Sequence, residues 1–74
     1  MHIRLTRHAR QRMRERGISR EEIIECLENY QVSRPGEEGK RVYDYTDERG
    51  YKTSVSATIK NGRWIIASVW KVKI

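Results

Sequence analysis

The sequence predicts an α+β domain in which two N-terminal helices pack on a three-stranded antiparallel sheet. Three observations predict it. Residues 7–29 hold two capped segments with helical spacing, Tyr51 to Lys60 alternates apolar and polar residues, and Asn61-Gly62 joins that run to a second apolar one. Helical segments that precede the strands, instead of alternating with them, indicate an antiparallel sheet with its helices on one face. Seventy-four residues make one domain, 1–74, with a small core.

Each element has its own signal. Thr6 caps a helix from Arg7 to Arg16, and Gly17 supplies the left-handed stop. Leu5, Ala9, Met13 and Arg16 fall on one stripe of that helix, so its apolar seam is narrow. Ser19 and Glu22 form a capping box for a second helix, Glu21 to Asn29, with Ile23, Ile24 and Leu27 turned inward. Ser33 to Lys40, with its Pro35-Gly36 pair, reads as a loop, and Arg41 to Thr46 as the first strand. Asn61-Gly62 implies a two-residue type I′ hairpin that pairs Lys60 with Arg63. Ile59 then faces Trp64, Ala57 faces Ile66, Val55 faces Ser68 and Thr53 faces Trp70, which puts both tryptophans on the core face. The last strand is apolar on both faces, as a central strand would be, or one whose reverse face a partner covers.

Composition narrows the classes. One cysteine, Cys26, and two histidines can form neither an internal disulfide nor a zinc set, and no cofactor is expected. No apolar run approaches a membrane span, and Met1-His2-Ile3-Arg4 lacks the pattern of a signal peptide, so a cytoplasmic protein without membrane partners is expected. Charge is segregated: residues 1–20 carry a net +6, residues 21–48 a net −6 and residues 49–74 a net +6. A fold that joins the two basic ends would present a cationic face to a polyphosphate such as RNA. A solvated surface of ion pairs is the ordinary alternative.

The chemistry concentrates in "RHARQRMRERG". His8 and Arg12 are neighbours on one flank of the first helix, where a group that titrates near neutrality sits beside a cation that can fork onto phosphate. That pair suits cleavage of a phosphodiester, and RNA supplies its own nucleophile in the 2′-hydroxyl. Arg7, Arg10 and Arg14 fan over the remaining helix surface. Arg41 lies in line with Tyr43 and Tyr45, tyrosines that could stack on bases or pack in the core. Lys52, Lys60, Arg63 and Lys71 flank the hairpin as sequence-independent phosphate contacts. Arg16, on the core side, would ordinarily pair with Glu21, Glu22 or Glu25.

The run His8-Ala9-x-x-Arg12-Met13-x-x-Arg16-Gly17-Ile18-Ser19 resembles the opening of a family of small bacterial proteins of unassigned function, in which HAxxRMxERGI begins a helix pair followed by an antiparallel sheet. The likeness continues through Gly39-Lys40-Arg41-Val42-Tyr43. It ends at Ala67-Ser68-Val69-Trp70, where such proteins usually show a threonine, an apolar residue and a tyrosine. That family is similar in fold to the RelE-like toxin ribonucleases, the group that includes barnase-like and colicin-type RNases. The resemblance implies a RelE-like fold, metal-independent cleavage of RNA and an antitoxin protein as partner. It maps His8, Arg12 and Arg41 onto polar motif positions and Tyr43 onto an aromatic one, while Trp70 lacks the hydroxyl of the usual tyrosine.

The expectation is therefore an endoribonuclease of toxin type. His8 would act as general acid or base, Arg12 and Arg41 as phosphate clamps, and Tyr43 as a stacking or proton-donating group, all in one basic cleft between the first helix and the sheet. Arg7, Arg10, Arg14, Lys52, Arg63 and Lys71 would hold the nucleic acid. The alternative is a non-catalytic module that binds nucleic acid or protein through the arginine face, or a homo-oligomer in which that face meets the acidic middle of a second copy.

Overall fold

The computed structural model of the chain describes residues 1–74. Both helices start where their capping residues place them. Helix α1 (Arg7–Arg16) opens with the Thr6 hydroxyl accepting the Ala9 amide, and it closes at Gly17, whose φ of 63° lies in the left-handed region. Helix α2 (Arg20–Asn29) carries the full capping box, with Ser19 and Glu22 satisfying each other's backbone amides. No helix is long and apolar enough to cross a membrane.

The strands are β1 (Ile3–Leu5), β2 (Val32–Pro35), β3 (Arg41–Thr46), β4 (Tyr51–Lys60) and β5 (Arg63–Lys73). They form one mixed sheet of five strands in the order β1-β5-β4-β3-β2, where the sequence predicts three antiparallel ones. The additions lie at the two edges. β1 runs parallel to Trp64–Ile66, and β2 runs antiparallel to Arg41–Asp44 within the segment expected to be loop. Strands of three and four residues, one of them containing a proline, are too short to show alternation, so partner strands and not pattern define them. A single 3-10 turn, Glu37–Gly39, connects β2 to β3.

One sheet face carries both helices. Ile3, Tyr43, Val55, Ala57, Ile66 and Val69 meet Ala9, Ile18, Ile23, Cys26 and Leu27 in a single buried cluster. Cys26 points its thiol at the carbonyls of Tyr43 and Thr53, 3.3 and 3.5 Å away, and burial pushes that thiol up to about 12.

The β4–β5 hairpin follows the predicted register from the turn as far as Ala57 opposite Ile66. There it departs. Ser56 pairs with Ser68, which leaves Ala67 as the extra residue of a β-bulge. Past the bulge Val55 faces Val69 and Ser54 faces Trp70, in place of the expected Val55–Ser68 and Thr53–Trp70 pairs. Because side chains alternate with period two, one added residue brings Val69 into the core and turns Trp70 to the opposite face. Trp64, before the bulge, keeps its predicted place beside the core.

Thr6 ties the start of α1 to this irregularity. Its amide donates to the Ile66 carbonyl at 3.1 Å and its hydroxyl to the Ala67 carbonyl at 3.3 Å. Beyond Ile66, β5 has no strand on its outer side, and α1 packs there instead. Arg16 Nη1 donates to the Val69 carbonyl at 2.8 Å, so this arginine ties the helix to the sheet edge and not to Glu21, Glu22 or Glu25.

Candidate functional site

The sheet face away from the helices carries no helix, and strand alternation assigns Val42, Asp44, Ser54, Ser56, Ser68 and Trp70 to it, with Val42, Asp44 and Ser54 buried beneath neighbouring side chains. A groove of about 740 Å³ crosses this face. Val42 and Ser56 lie along its middle. His8, Ala67, Ser68 and Trp70 form one wall, and Arg34, Pro35, Gly36, Glu37, Glu38 and Lys40 form the other. The bulge places Ser68 and Trp70, and the first turn of α1, anchored by Thr6 to the bulge, places His8. The opposite wall is a tight loop: the Gly36 amide donates to the Lys40 carbonyl at 2.8 Å and the Lys40 amide to the Glu37 carbonyl at 3.0 Å.

Arg34 is held in that wall by a buried carboxylate. Its Nε donates to Asp44 Oδ2 at 3.0 Å, while Ser54 Oγ donates to Asp44 Oδ1 at 2.5 Å. Burial alone would raise the Asp44 carboxyl, but the bonds from Arg34 and Ser54 outweigh it and hold the group below the usual carboxylate range. The guanidinium is thus fixed by its Nε edge. Its other nitrogens make no hydrogen bond within the chain, as a fork for an external oxyanion requires. His8 is exposed, and its ring makes neither a hydrogen bond nor an ion pair with the protein. No three His, Cys, Asp or Glu side chains gather as a metal site.

The family model for a domain of unknown function, DUF4258, matches residues 5–73, which takes in both helices, the bulge and both groove walls. The chain belongs to the DUF4258 family. Comparisons with curated proteins and with solved structures found no match.

Within this DUF4258 domain the expected site residues part company. His8 reaches the groove. Arg12 pairs with Glu15 at 2.6 Å on the helix surface, does not line the groove, and with Gln11 holds the Glu15 carboxyl low. Arg41 lies on the helix side of β3 and donates from Nε to Ser33 Oγ at 2.9 Å. Tyr43, only 7% exposed, sets its ring edge-on to Tyr30 and Trp64 in the core. The single cleft expected for His8, Arg12, Arg41 and Tyr43 is therefore not formed. Alternation along β3 turns Arg41 and Tyr43 towards the helices and leaves Val42 facing the groove.

Of the expected nucleic-acid contacts, Arg7, Arg10 and Arg14 are exposed on α1 without partners, and Lys52 and Arg63 belong to the free face. Lys71 is on the helix side, bonded to Glu22 at 2.7 Å. Sequence reasoning missed Arg34, Lys40, Ser68 and Trp70 as groove residues of the DUF4258 domain. The acidic-basic loop "SRPGEEGK" was the available signal for the first two; the bulge that turns the others has none.

Proposed function

We propose that this DUF4258 domain is a metal-independent endoribonuclease of toxin type, related in fold to the RelE-like ribonucleases, that takes single-stranded RNA into the free-face groove. One observation carries the reading: an exposed, unpartnered histidine shares a groove with a tryptophan ring and with an arginine oriented by a buried carboxylate. In this reading Trp70 offers a stacking surface for a base. Arg34 and Lys40 balance the charge that grows on the phosphate. A loop carboxylate, Glu37 or Glu38, takes the proton from the 2′-hydroxyl as that oxygen attacks phosphorus. His8 gives a proton to the departing 5′-oxygen, leaving a 2′,3′-cyclic phosphate and a free 5′-hydroxyl. An antitoxin partner would act by covering the groove.

A second reading has its own support in the partnerless Arg7, Arg10 and Arg14, which crown α1 away from the groove lining and suit binding without turnover. The test uses the purified protein and a 5′-labelled unstructured RNA 20-mer in buffer with chelator. Cleavage to cyclic-phosphate ends is expected, slowed by about 100-fold or more in His8→Ala. Intact RNA, or full activity in His8→Ala, overturns the enzyme reading, and salt-sensitive binding without cleavage establishes the second.

A further inference from the structure

A second concavity of about 390 Å³ opens on the same sheet face, at the hairpin end, lined by Arg4, Lys60, Asn61, Arg63 and Ile65. Three cations from three strands meet there. Lys60 and Arg63 are the cross-strand pair that flanks the turn, and Arg4 sits opposite Ile65 on β1. Like charges in direct cross-strand opposition cost stability, and here no carboxylate offsets them. Arg12, Arg34, Lys40 and Lys71 have acidic partners; Arg4, Lys60 and Arg63 are among the cations that have none, and residues 49–74 contain no acid at all. The two basic ends of the chain thus come together at this pocket, through a strand pairing the sequence did not announce.

We infer that Arg4, Lys60 and Arg63 form a phosphate subsite for the RNA strand that leaves the groove. The inference rests on the ribonuclease reading and adds the path the strand takes across the sheet. Ile65 and Ser68 lie on the same face of β5, opposite Thr58 and Ser56 and so about 7 Å apart along the sheet, and a continuous backbone can span both concavities. The Asn61 amide adds a neutral donor at the rim, and Ile65 an apolar surface for a sugar. Guanidinium and ammonium groups without base-edge readers make this a contact to phosphate and not to sequence.

The test measures fluorescence anisotropy of labelled 2′-O-methyl oligouridylates, a 3-mer and a 10-mer, over a salt series. A Lys60→Gln/Arg63→Gln protein is expected to lower the 10-mer's log–log salt slope by about 1.4, which at 0.1 M salt corresponds to about 25-fold weaker binding. Its 3-mer affinity stays within about twofold, and Arg4→Gln, on a different strand, gives about half the slope change. An unchanged 10-mer slope, with the 3-mer still bound, overturns the subsite and leaves the groove reading standing. An equal loss for a glutamate decamer marks the pocket as charge alone and also overturns it. Wild-type protein that binds neither oligonucleotide overturns the groove reading and this one together.

Discussion

The buried Ser54–Asp44–Arg34 array gives a stability prediction that can be worked through. Asp44→Asn keeps the shape of the side chain and removes its charge. The Ser54 bond then falls from one made to an ion, about 1.5–3 kcal/mol, towards the roughly 1 kcal/mol of a neutral bond. The Arg34 side chain is 46% exposed, so solvent screening limits its share to about 0.5 kcal/mol. Together the loss is about 1.5 kcal/mol, from a total expected for 74 residues of about 4–11 kcal/mol. For a domain this size that lowers Tm by about 9 °C.

The pH dependence fixes the sign. The fold holds the Asp44 carboxyl below its ordinary value, so its contribution is present above the unfolded value of about 3.9 and is lost as pH falls through the lower folded one. Urea unfolding followed by circular dichroism should show the full gap between wild type and Asp44→Asn at pH 7, and a gap that closes below about pH 4. A loss under about 0.5 kcal/mol at neutral pH, or a gap unchanged at low pH, would refute the charge-based account.

Arg16→Met should cost about 1 kcal/mol, insensitive to salt because the lost guanidinium donates to the neutral Val69 carbonyl and not to a carboxylate, and hydrogen exchange should quicken along β5. Ser19→Ala removes half of the capping box and should cost about 0.5–2 kcal/mol in urea titrations, with Ser19→Gly milder. Cys26, buried and held as a thiol, should react with a thiol reagent only as fast as the protein opens; labelling at the rate of a free thiol in native buffer would contradict its placement.

Local chemistry was legible wherever it was self-contained. Thr6, Gly17, Ser19 and Glu22 mark both helices, and Asn61-Gly62 marks the hairpin, because capping and turn geometry depend on neighbours in sequence. What escaped depends on distant partners. Ile3-Arg4-Leu5 is a strand only because β5 accepts it, and Val32 to Pro35 only because β3 does. Ala67 carries no mark of a bulge, yet it decides that Trp70 joins His8 in the groove instead of Trp64 near the core. The alternation placing Arg41 beside Tyr43 was visible, and so was the core face of the hairpin, but not the register of β3 on β4 that turns both residues to that face. Uneven charge along the chain allowed a cationic face built from both ends, but only the pairing of β1 with β5 brings Arg4 beside Lys60 and Arg63.

The helix that shields the outer rim of β5 has a consequence for assembly. A sheet can be extended only from a margin with free backbone groups, and here α1, pinned by Arg16, seals the longest strand beyond its short pairing with β1. The opposite margin, β2, is four residues long and ends at Pro35, which cannot donate. Folded molecules therefore have little on which to template a ladder. Detaching α1 would unmask the outer backbone groups of an eleven-residue strand that contains both tryptophans, and such a strand can pair with a second chain.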